Sequence, residues 1–287
     1  QQLPQLTQYM NNNYAINPAV AGMYDYYQVK TTIRSQWAGI TDAPRTTLLS
    51  IYGRKSENIG LGGLVFNDQT GPTKRVGCSA SYTYSFPITR AVKMSFALSG
   101  GFSQYTLDVA SLNIESDPLI GGDINRSTPD ATFGFNTYGE NWYIGVAIPQ
   151  LLSTDLNLKG DYVNPVNNNN TVSDGKLARH TYVLGAYRLN INDSWSIEPS
   201  FFLKSVEAAP LQTDFGVKTI INDVFLGMGY RNNGDMNALF GYTIQDRYIV
   251  GYSYDILSSD LSDYSTGSHE FMIGIRFVAP NESEIMQ

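Results

Sequence analysis

Apolar and polar residues alternate with a period of two along most of the chain, and this alternation is typical of β-strands. From Val76 to Phe86, every second residue is apolar or aromatic, and the residues between them are glycine, serine or threonine. From Glu270 to Phe277, aliphatic and aromatic residues alternate with Glu270, Met272, Gly274 and Arg276. Runs of this kind, bounded by turn residues, predict about fourteen strands, at residues 28–38, 45–54, 58–67, 75–86, 92–104, 129–139, 141–148, 178–190, 194–205, 209–221, 223–232, 236–245, 247–255 and 267–277.

The lengths of the strands and of their connections indicate a membrane protein. Most of the predicted strands have the roughly 9–11 residues that a tilted strand needs to cross a bilayer. Connections after even-numbered strands are short, as at Lys55–Asn58 and Asn222, whereas some after odd-numbered strands are long, as at Tyr105–Thr128 and Pro149–Leu177. Short turns at one end and long loops at the other are typical of outer-membrane barrels. We therefore predict an all-β chain, a transmembrane antiparallel β-barrel of about 14 strands with both termini periplasmic.

A soluble β-sandwich is the alternative fold, because its strands alternate in the same way. A sandwich turns its apolar face inward and a barrel turns it outward, and the sequence alone does not say which face meets water. Aromatic residues at the ends of the predicted strands favour the barrel; they are Trp37, Tyr84, Phe86, Trp195 and Phe277.

The expected domain organisation has three parts. Residues 1–27 are not strand-like and predict a periplasmic lead-in or a plug, residues 28–277 predict the outer-membrane barrel, and residues 278–287 predict a periplasmic tail. The start at Gln1-Gln2 suits a mature outer-membrane protein whose signal peptide has been removed. The Asn-rich stretch Asn164–Asn170 is expected to be a loop tip.

Composition narrows the function classes. The 13% aromatic content and 26 glycines of the 287 residues suit an all-β chain, and no window approaches the ~18 apolar residues of a membrane helix. A net charge of −7 without a Lys/Arg-rich run argues against nucleic acid as a partner. The single cysteine, Cys78, excludes an internal disulfide, and we expect it to be a small apolar strand residue.

Candidate catalytic and metal-binding chemistry is scarce. The two histidines, His180 and His269, lack metal-ligand spacing, so no metal and no cofactor are expected. The cluster Gly60–Gly63 lies in a predicted strand, where barrel packing or close backbone approach explains it better than a nucleotide loop. Because some acyl-modifying barrels use serine and histidine, Ser268 beside His269 is an enzymatic alternative. We nevertheless predict no enzyme and no catalytic residues.

Strand counting places several charged residues together. In a closed barrel the first strand pairs with the last. Arg34 and Gln36 then lie on the polar face near the outer end of the first strand, at the level of Asp255 and Glu270. We predict a lumenal polar network of Arg34, Asp255 and Glu270 near the extracellular mouth. It acts either as a structural ion-pair network or as part of a docking site for a partner.

A set of short motifs spans nearly the whole chain. The motifs are Asn17-Pro18-Ala19-Val20-Ala21-Gly22, Arg34-Ser35-Gln36-Trp37 with Pro44-Arg45-Thr46, Gly62-Gly63 with Asp68 and Gly71, and the pair Gly251–Asp255 and Gly267–Glu270. As a set, they resemble the PorP/SprF family of Bacteroidota outer-membrane proteins. The residues that carry the signature most clearly are Asn17, Pro18, Gly22, Trp37, Gly251, Tyr252, Tyr254, Gly267 and His269.

The resemblance implies a component of the type IX secretion system, which in some members is linked to gliding motility. It implies as partners the C-terminal targeting domain of a large secreted adhesin, other secretion or gliding components and outer-membrane lipid. The expected function is to support export of that adhesin or its retention at the cell surface. An outer-membrane diffusion channel or hydrophobic-solute transporter is the alternative, because a barrel of this strand number encloses space that side chains alone do not fill.

Overall fold

The strands of the molecule form one antiparallel sheet. The computed structural model describes residues 3–108, 124–154, 177–207 and 209–278. The strands are β1 Tyr26–Ser35, β2 Arg45–Arg54, β3 Ile59–Thr70, β4 Thr73–Pro87, β5 Lys93–Leu107, β6 Ile124–Tyr138, β7 Trp142–Ile148, β8 His180–Tyr187, β9 Leu189–Asn192, β10 Trp195–Val206, β11 Gln212–Ile221, β12 Val224–Arg231, β13 Met236–Ile244, β14 Tyr248–Ile256 and β15 Ser268–Val278.

The sheet closes on itself. Strand β1 pairs with β2 on one side and with β15 on the other, and β10 pairs with β11, so the chain of neighbours has no free edge. Strands β8 and β9 follow one another along the same edge of β10, with an interruption at Arg188. They therefore count as one strand of the wall, and the molecule is a closed barrel of fourteen antiparallel strands, as predicted.

The two faces of the wall have opposite character. In β4, the alternate residues from Val76 to Tyr84 are exposed, whereas Ser81, Thr83 and Ser85 are buried. Apolar side chains cover the outside in the other strands as well, with Ile33, Phe102 and Ile273 more than half exposed. An apolar exterior around a polar interior is the arrangement of a barrel in lipid. The structure therefore decides against the sandwich.

Some predicted bounds were wrong. Strand β1 ends at Ser35 and not at residue 38, because Trp37 adopts a left-handed φ of +49°. The β5–β6 hairpin continues to the pair Leu107 and Ile124. The sequence predicted a connection at Tyr105–Thr128, but the residues at both ends of that range belong to strands β5 and β6. Three predicted features lie wholly or largely outside the described residues. They are the long connection Pro149–Leu177, the Asn-rich tip Asn164–Asn170 and the tail beyond Val278.

Residues 3–23, which we call the N-terminal segment, lie inside the barrel. They contain three short 3₁₀ turns, Gln8–Met10, Asn13–Ala15 and Pro18–Gly22. Their apolar side chains form the core of the molecule with lumenal residues of the wall. Members of this core include Leu6, Tyr9, Met10, Ile16, Leu48, Leu184, Phe202 and Met272. Among the described residues, none of the helices has the length and apolar composition to cross a membrane.

Candidate functional site

The side chains of Arg34, Asp255 and Glu270, which we call the seam network, meet where the first and last strands pair. Arg34 stands directly opposite Glu270 in the β1–β15 ladder. Arg34 Nη2 lies 2.5 Å from Asp255 Oδ2, and Arg34 Nη1 lies 3.1 Å from Glu270 Oε2. All three side chains are buried. Period-two alternation explains the arrangement, because it turns residues 34, 255 and 270 to the lumen.

The N-terminal segment completes the seam network. The backbone N–H groups of Thr7 and Gln8 donate to the two carboxylate oxygens of Glu270 at 2.8 and 3.0 Å. The Thr7 hydroxyl lies 2.7 Å from Asp255 Oδ1 and accepts from Arg34 Nη1 at 2.8 Å. Charge-assisted hydrogen bonds of this kind are stronger than neutral ones. The seam network therefore holds the first turn of the N-terminal segment against the wall.

Gln36, the fourth predicted site residue, is buried just beyond the end of β1. Its backbone N–H donates to the carbonyl of Pro44 at 2.9 Å. Gln36 therefore belongs to the loop between β1 and β2, and the seam network is formed without it.

Signature residues fix the two loops that lie above the seam network. Gly267 has a φ of +106°, which favours glycine, and its carbonyl accepts from the N–H of Ala38 at 2.7 Å. The N–H of Trp37 donates to Ser268 Oγ at 3.2 Å, and the Tyr254 hydroxyl donates to the carbonyl of Thr266. The loops after β1 and before β15 are thereby joined at this mouth of the barrel.

The remaining signature residues of the closing strands make two kinds of contact. The Tyr252 hydroxyl lies 2.8 Å from His269 Nδ1, while a Cβ at Gly251 would collide with the Gln8 amide oxygen. Ser268 and His269 are consecutive in a strand, so their side chains project to opposite faces. That geometry does not form a nucleophile–base pair.

The Asn17–Gly22 motif attaches the N-terminal segment to the far side of the wall. Asn17 Oδ1 accepts from the N–H of Ala19 at 3.0 Å and caps the 3₁₀ turn, while its Nδ2 donates to the carbonyl of Phe135 at 2.9 Å. Pro18 and Gly22 are buried within the same turn, and their carbonyls accept from Thr83 Oγ1 and from the Tyr138 hydroxyl. The motif thus fixes this turn to strands β4 and β6.

Close approach of the N-terminal segment accounts for two of the three glycines of β3, Gly60 and Gly62. A Cβ at Gly60 would lie 2.5 Å from the backbone nitrogen of Gly22, and a Cβ at Gly62 would lie 2.5 Å from Tyr14 Cζ. A side chain at either position would displace the N-terminal segment. The sequence indicated close approach here, but it did not identify the approaching chain.

Two tyrosines tie the N-terminal segment to lumenal serines. The Tyr14 hydroxyl lies 2.8 Å from Ser81 Oγ, and the Tyr9 hydroxyl lies 3.3 Å from Ser200 Oγ. Burial raises the pKa of each tyrosine to about 12. Both hydroxyls therefore stay protonated at neutral pH and act only as hydrogen-bonding groups.

Two further lumenal ion-pair groups went unrecognised in the sequence. Arg231 pairs with Asp214 at 3.0 Å and with Asp235 at 3.4 Å. In the other group, Glu198 lies 2.8 Å from Lys218 Nζ and 2.9 Å from Arg188 Nη2. The available signal was the charged residues on the polar faces of the strands, which the alternation places inside a barrel; these are Glu198, Asp214, Lys218 and Arg231.

Two cavities flank the N-terminal segment. One, of about 130 Å³, lies at the end that carries the loops after β1, β5 and β7, and apolar residues such as Leu3, Leu6 and Phe66 line it. The other, of about 450 Å³, lies at the end that carries the short turns. Among the described residues, no cluster of histidine, cysteine and carboxylate side chains is arranged to hold a metal ion.

The closed apolar-faced wall and the charged, filled lumen define an outer-membrane β-barrel. The family model of the type IX secretion system membrane protein PorP/SprF matches residues 1–275, so the chain belongs to that family. This confirms the resemblance seen in the motifs. None of the curated proteins matches the chain.

Solved structures that are similar to this chain are also outer-membrane barrels. The toluene transporter TbuX of Ralstonia pickettii is 9% identical with a TM-score of 0.54, and the match covers 92% of each chain. A FadL homologue of Pseudomonas aeruginosa is 9% identical with a TM-score of 0.53 and coverage of 91% and 92%. The monoaromatic hydrocarbon channel CymD is 10% identical with a TM-score of 0.51 and coverage of 89% and 88%. At such identities the likeness concerns the fold alone.

Proposed function

We propose that this chain is a non-enzymatic barrel that binds the C-terminal targeting domain of a large secreted adhesin. It thereby supports the export of the adhesin or its retention at the cell surface. The partners are that domain, other type IX secretion or gliding components and outer-membrane lipid. Membership of a secretion-system family supports the proposal at the level of the pathway.

The observation that carries the proposal is the occupied lumen. The N-terminal segment is bonded to strands on opposite sides of the barrel, as the contacts of Gln8 with Glu270 and of Asn17 with Phe135 illustrate. A lumen filled by buried, hydrogen-bonded chain suits a rigid docking platform better than a path for free diffusion. A protein partner would then meet the mouth and its loops, where binding residues are commonly found.

The long connections are the proposed contact surfaces. They follow β5 and β7, in the sequence regions Tyr105–Thr128 and Pro149–Leu177. The β5–β6 ladder continues through Gln104, whose Nε2 donates to Asn125 Oδ1 at 2.7 Å. This hairpin would present the connection at its tip to a partner.

The seam network is proposed to act indirectly. Its carboxylates are buried and already accept from Thr7, Gln8 and Arg34. A partner could touch Asp255 or Glu270 only after displacing the N-terminal segment. We therefore assign to the network the role of holding that segment, which in turn shapes the docking mouth.

The orientation remains a proposal as well. With a lead-in or plug before Tyr26, a barrel from Tyr26 to Val278 and a tail beyond it, both termini of the mature protein would be periplasmic. The loops above the seam network would then face outward.

Pull-down from native membranes tests the leading proposal. The tagged chain, expressed in its own host and extracted in mild detergent, is expected to recover a large secreted surface protein. An unrelated tagged outer-membrane barrel, treated identically, is the control. If the two samples recover the same proteins and no large surface protein is specific to this chain, the proposal is wrong.

A hydrophobic-solute channel is the second candidate. The apolar cavity of about 130 Å³ beside Leu3 and Leu6 favours it, and an apolar cavity of roughly 150 Å³ is large enough for benzene. The structural neighbours described as toluene transporter and hydrocarbon channel share only the fold. Solute-dependent conductance of the purified protein in planar bilayers would favour this candidate over the platform.

A further inference from the structure

The cavity at the short-turn end of the lumen has the features of a binding site. Its volume is about 450 Å³, and cavities that bind small organic ligands have volumes of about 300–1,000 Å³. Met10 and Asn11 of the N-terminal segment line it on one side. Five aromatic residues also line it, namely Tyr24, Tyr26, Trp142, Tyr143 and Phe225.

Basic side chains outnumber the buried acids among the residues that line this cavity. Four line it, namely Lys30, Arg188, Lys218 and Arg276. Glu198 is the buried acid among its lining residues and pairs with two of them, Arg188 and Lys218. The other lining acids are Glu140, Asp223 and Asp246, which are exposed on the turns at the rim. Charges in water at the rim are screened more strongly than charges in the interior.

Lys30 and Arg276 have no acidic partner among the described residues. The ammonium group of Lys30 donates to the carbonyl of Asn11 and to the Tyr52 hydroxyl, the latter at 3.1 Å. The guanidinium of Arg276 lies 5.3 Å from the centre of the Tyr26 ring and makes a long contact of 3.5 Å with the carbonyl of Asp246. Neither charge is neutralised by these contacts.

Two donors at the same place also lack a partner in the described part of the chain. Gln28 Nε2 and Arg276 Nε are buried and have no hydrogen-bond partner there. Gln28 is only 1% exposed and lines the cavity. Gln28 and Arg276 stand directly opposite each other in the β1–β15 ladder, and Lys30 follows Gln28 on the same face of β1. Three donor groups therefore lie close together on one stretch of the lumen wall.

An oxyanion would satisfy these groups. A buried cation without a counter-charge and a buried donor without an acceptor are both costly, and a carboxylate or phosphate accepts from ammonium, guanidinium and amide donors. We propose that the cavity binds an oxyanion, either a carboxylate or a phosphate, held by Lys30 Nζ, Gln28 Nε2 and the Arg276 guanidinium. The aromatic lining accommodates the organic group that carries it. This site is independent of the proposed docking of an adhesin.

Calorimetric titration of the full-length protein in detergent tests the site. The probes are inorganic phosphate, a short peptide with a free C-terminal carboxylate, and the same peptide amidated. Binding of phosphate or of the free-acid peptide is expected, with the amidated peptide weaker than the free acid by at least about tenfold. A preference for phosphate points to a phosphate ligand, and a preference for the free acid points to a carboxylate. If neither oxyanion binds, the proposal is overturned.

Three variants locate the binding. Lys30→Met and Gln28→Leu are expected to weaken oxyanion binding by about tenfold or more. Lys204→Met is the matched control. Lys204 is a half-buried lysine near the end of β10 that lies away from the cavity, and it does not line the cavity. Heat-modifiable mobility on a gel verifies that each variant folds. Equal affinities in the folded variants and the control would overturn the proposal, and Gln28→Leu keeps this test available if Lys30→Met does not fold.

Discussion

At the residue scale, the seam network explains how the lumen tolerates buried charge. Removing Arg34, Asp255 and Glu270 from water is costly, and ion pairing offsets more of that cost when further hydrogen bonds satisfy the charged groups. Thr7 and Gln8 supply the missing donors to Glu270 at 2.8 and 3.0 Å. The charges on the wall and the backbone of the N-terminal segment therefore depend on each other.

Replacement of Glu270 tests this dependence. Glu270→Gln keeps the shape but removes the charge that faces Arg34 and the two backbone donors. We expect a loss of about 3 kcal/mol in the free energy of unfolding, the scale of a broken buried pair. The measurement is the temperature at which the folded, fast-migrating form is lost on a gel.

Asp25→Asn is the control for Glu270→Gln. Asp25 pairs with Arg54 but is 79% exposed, and exposed pairs contribute less than about 1 kcal/mol. A loss of stability in Asp25→Asn as large as that in Glu270→Gln would contradict the proposed role of the seam network.

The sequence accounts for only part of the geometry of the seam network. The period of two predicted that residues 34, 255 and 270 face the lumen. Strand counting predicted that they lie at the same height in the barrel wall. Nothing in the sequence identified Thr7 as their partner, because the N-terminal segment has no period that could assign its side chains to a face.

At the element scale, the N-terminal segment is an element without regular secondary structure. Its 3₁₀ turns are too short to be stable alone, and its order comes from contacts with the wall. Tyr14 stacks on Tyr52 with ring centres 4.3 Å apart, and Pro18 and Ala19 accept hydrogen bonds from Thr83 and Ser95. The N-terminal segment takes no part in the pairing of the strands. In principle, the barrel can therefore form without the segment.

Removal of the N-terminal segment is expected to open the lumen. A variant that lacks residues 3–22 should still form the barrel, because the closing β1–β15 ladder begins at Tyr26. Its conductance in planar bilayers should exceed that of the unaltered chain several-fold. An unchanged conductance would mean that the segment does not limit passage.

A disulfide-locked variant is the matched control. A Cβ at Gly22 would lie 3.6 Å from the Cβ of Ser85, which is within the range of roughly 3.5–4.5 Å for a disulfide. Gly22→Cys with Ser85→Cys, made with Cys78→Ser, should crosslink and keep the conductance low. Failure to crosslink in the folded protein would contradict the placement of the segment inside the lumen.

At the scale of the whole molecule, the wall separates an apolar exterior from a charged interior. This inversion explains why the mean hydropathy of −0.21 resembles that of a soluble protein. Cys78 illustrates the distinction, since it is exposed on the outer face of β4 beside other apolar side chains. In a membrane that face meets lipid rather than water.

Thiol labelling distinguishes these two environments. In native membranes, Cys78 should react with a lipid-soluble maleimide but at least about tenfold more slowly with a charged thiol reagent, because a charged reagent partitions poorly into the hydrocarbon region. In the double variant Thr89→Cys with Cys78→Ser, the cysteine lies on the exposed turn after β4. It should react readily with the charged reagent when that reagent can reach both sides of the membrane. Equal rates with the charged reagent at both sites would contradict a lipid-facing position for Cys78.

The sequence by itself determined the strands and their number, because the period of two is a local property of consecutive residues. Its short motifs, such as Asn17–Gly22, carried the resemblance to the family. It also placed charged residues at the closing seam, since strand order in a closed barrel follows from chain order. Only the tertiary structure decided that the apolar face turns outward and that the N-terminal segment fills the lumen. Both depend on contacts between residues far apart in the chain, such as Thr7 with Glu270, and no local pattern specifies such contacts.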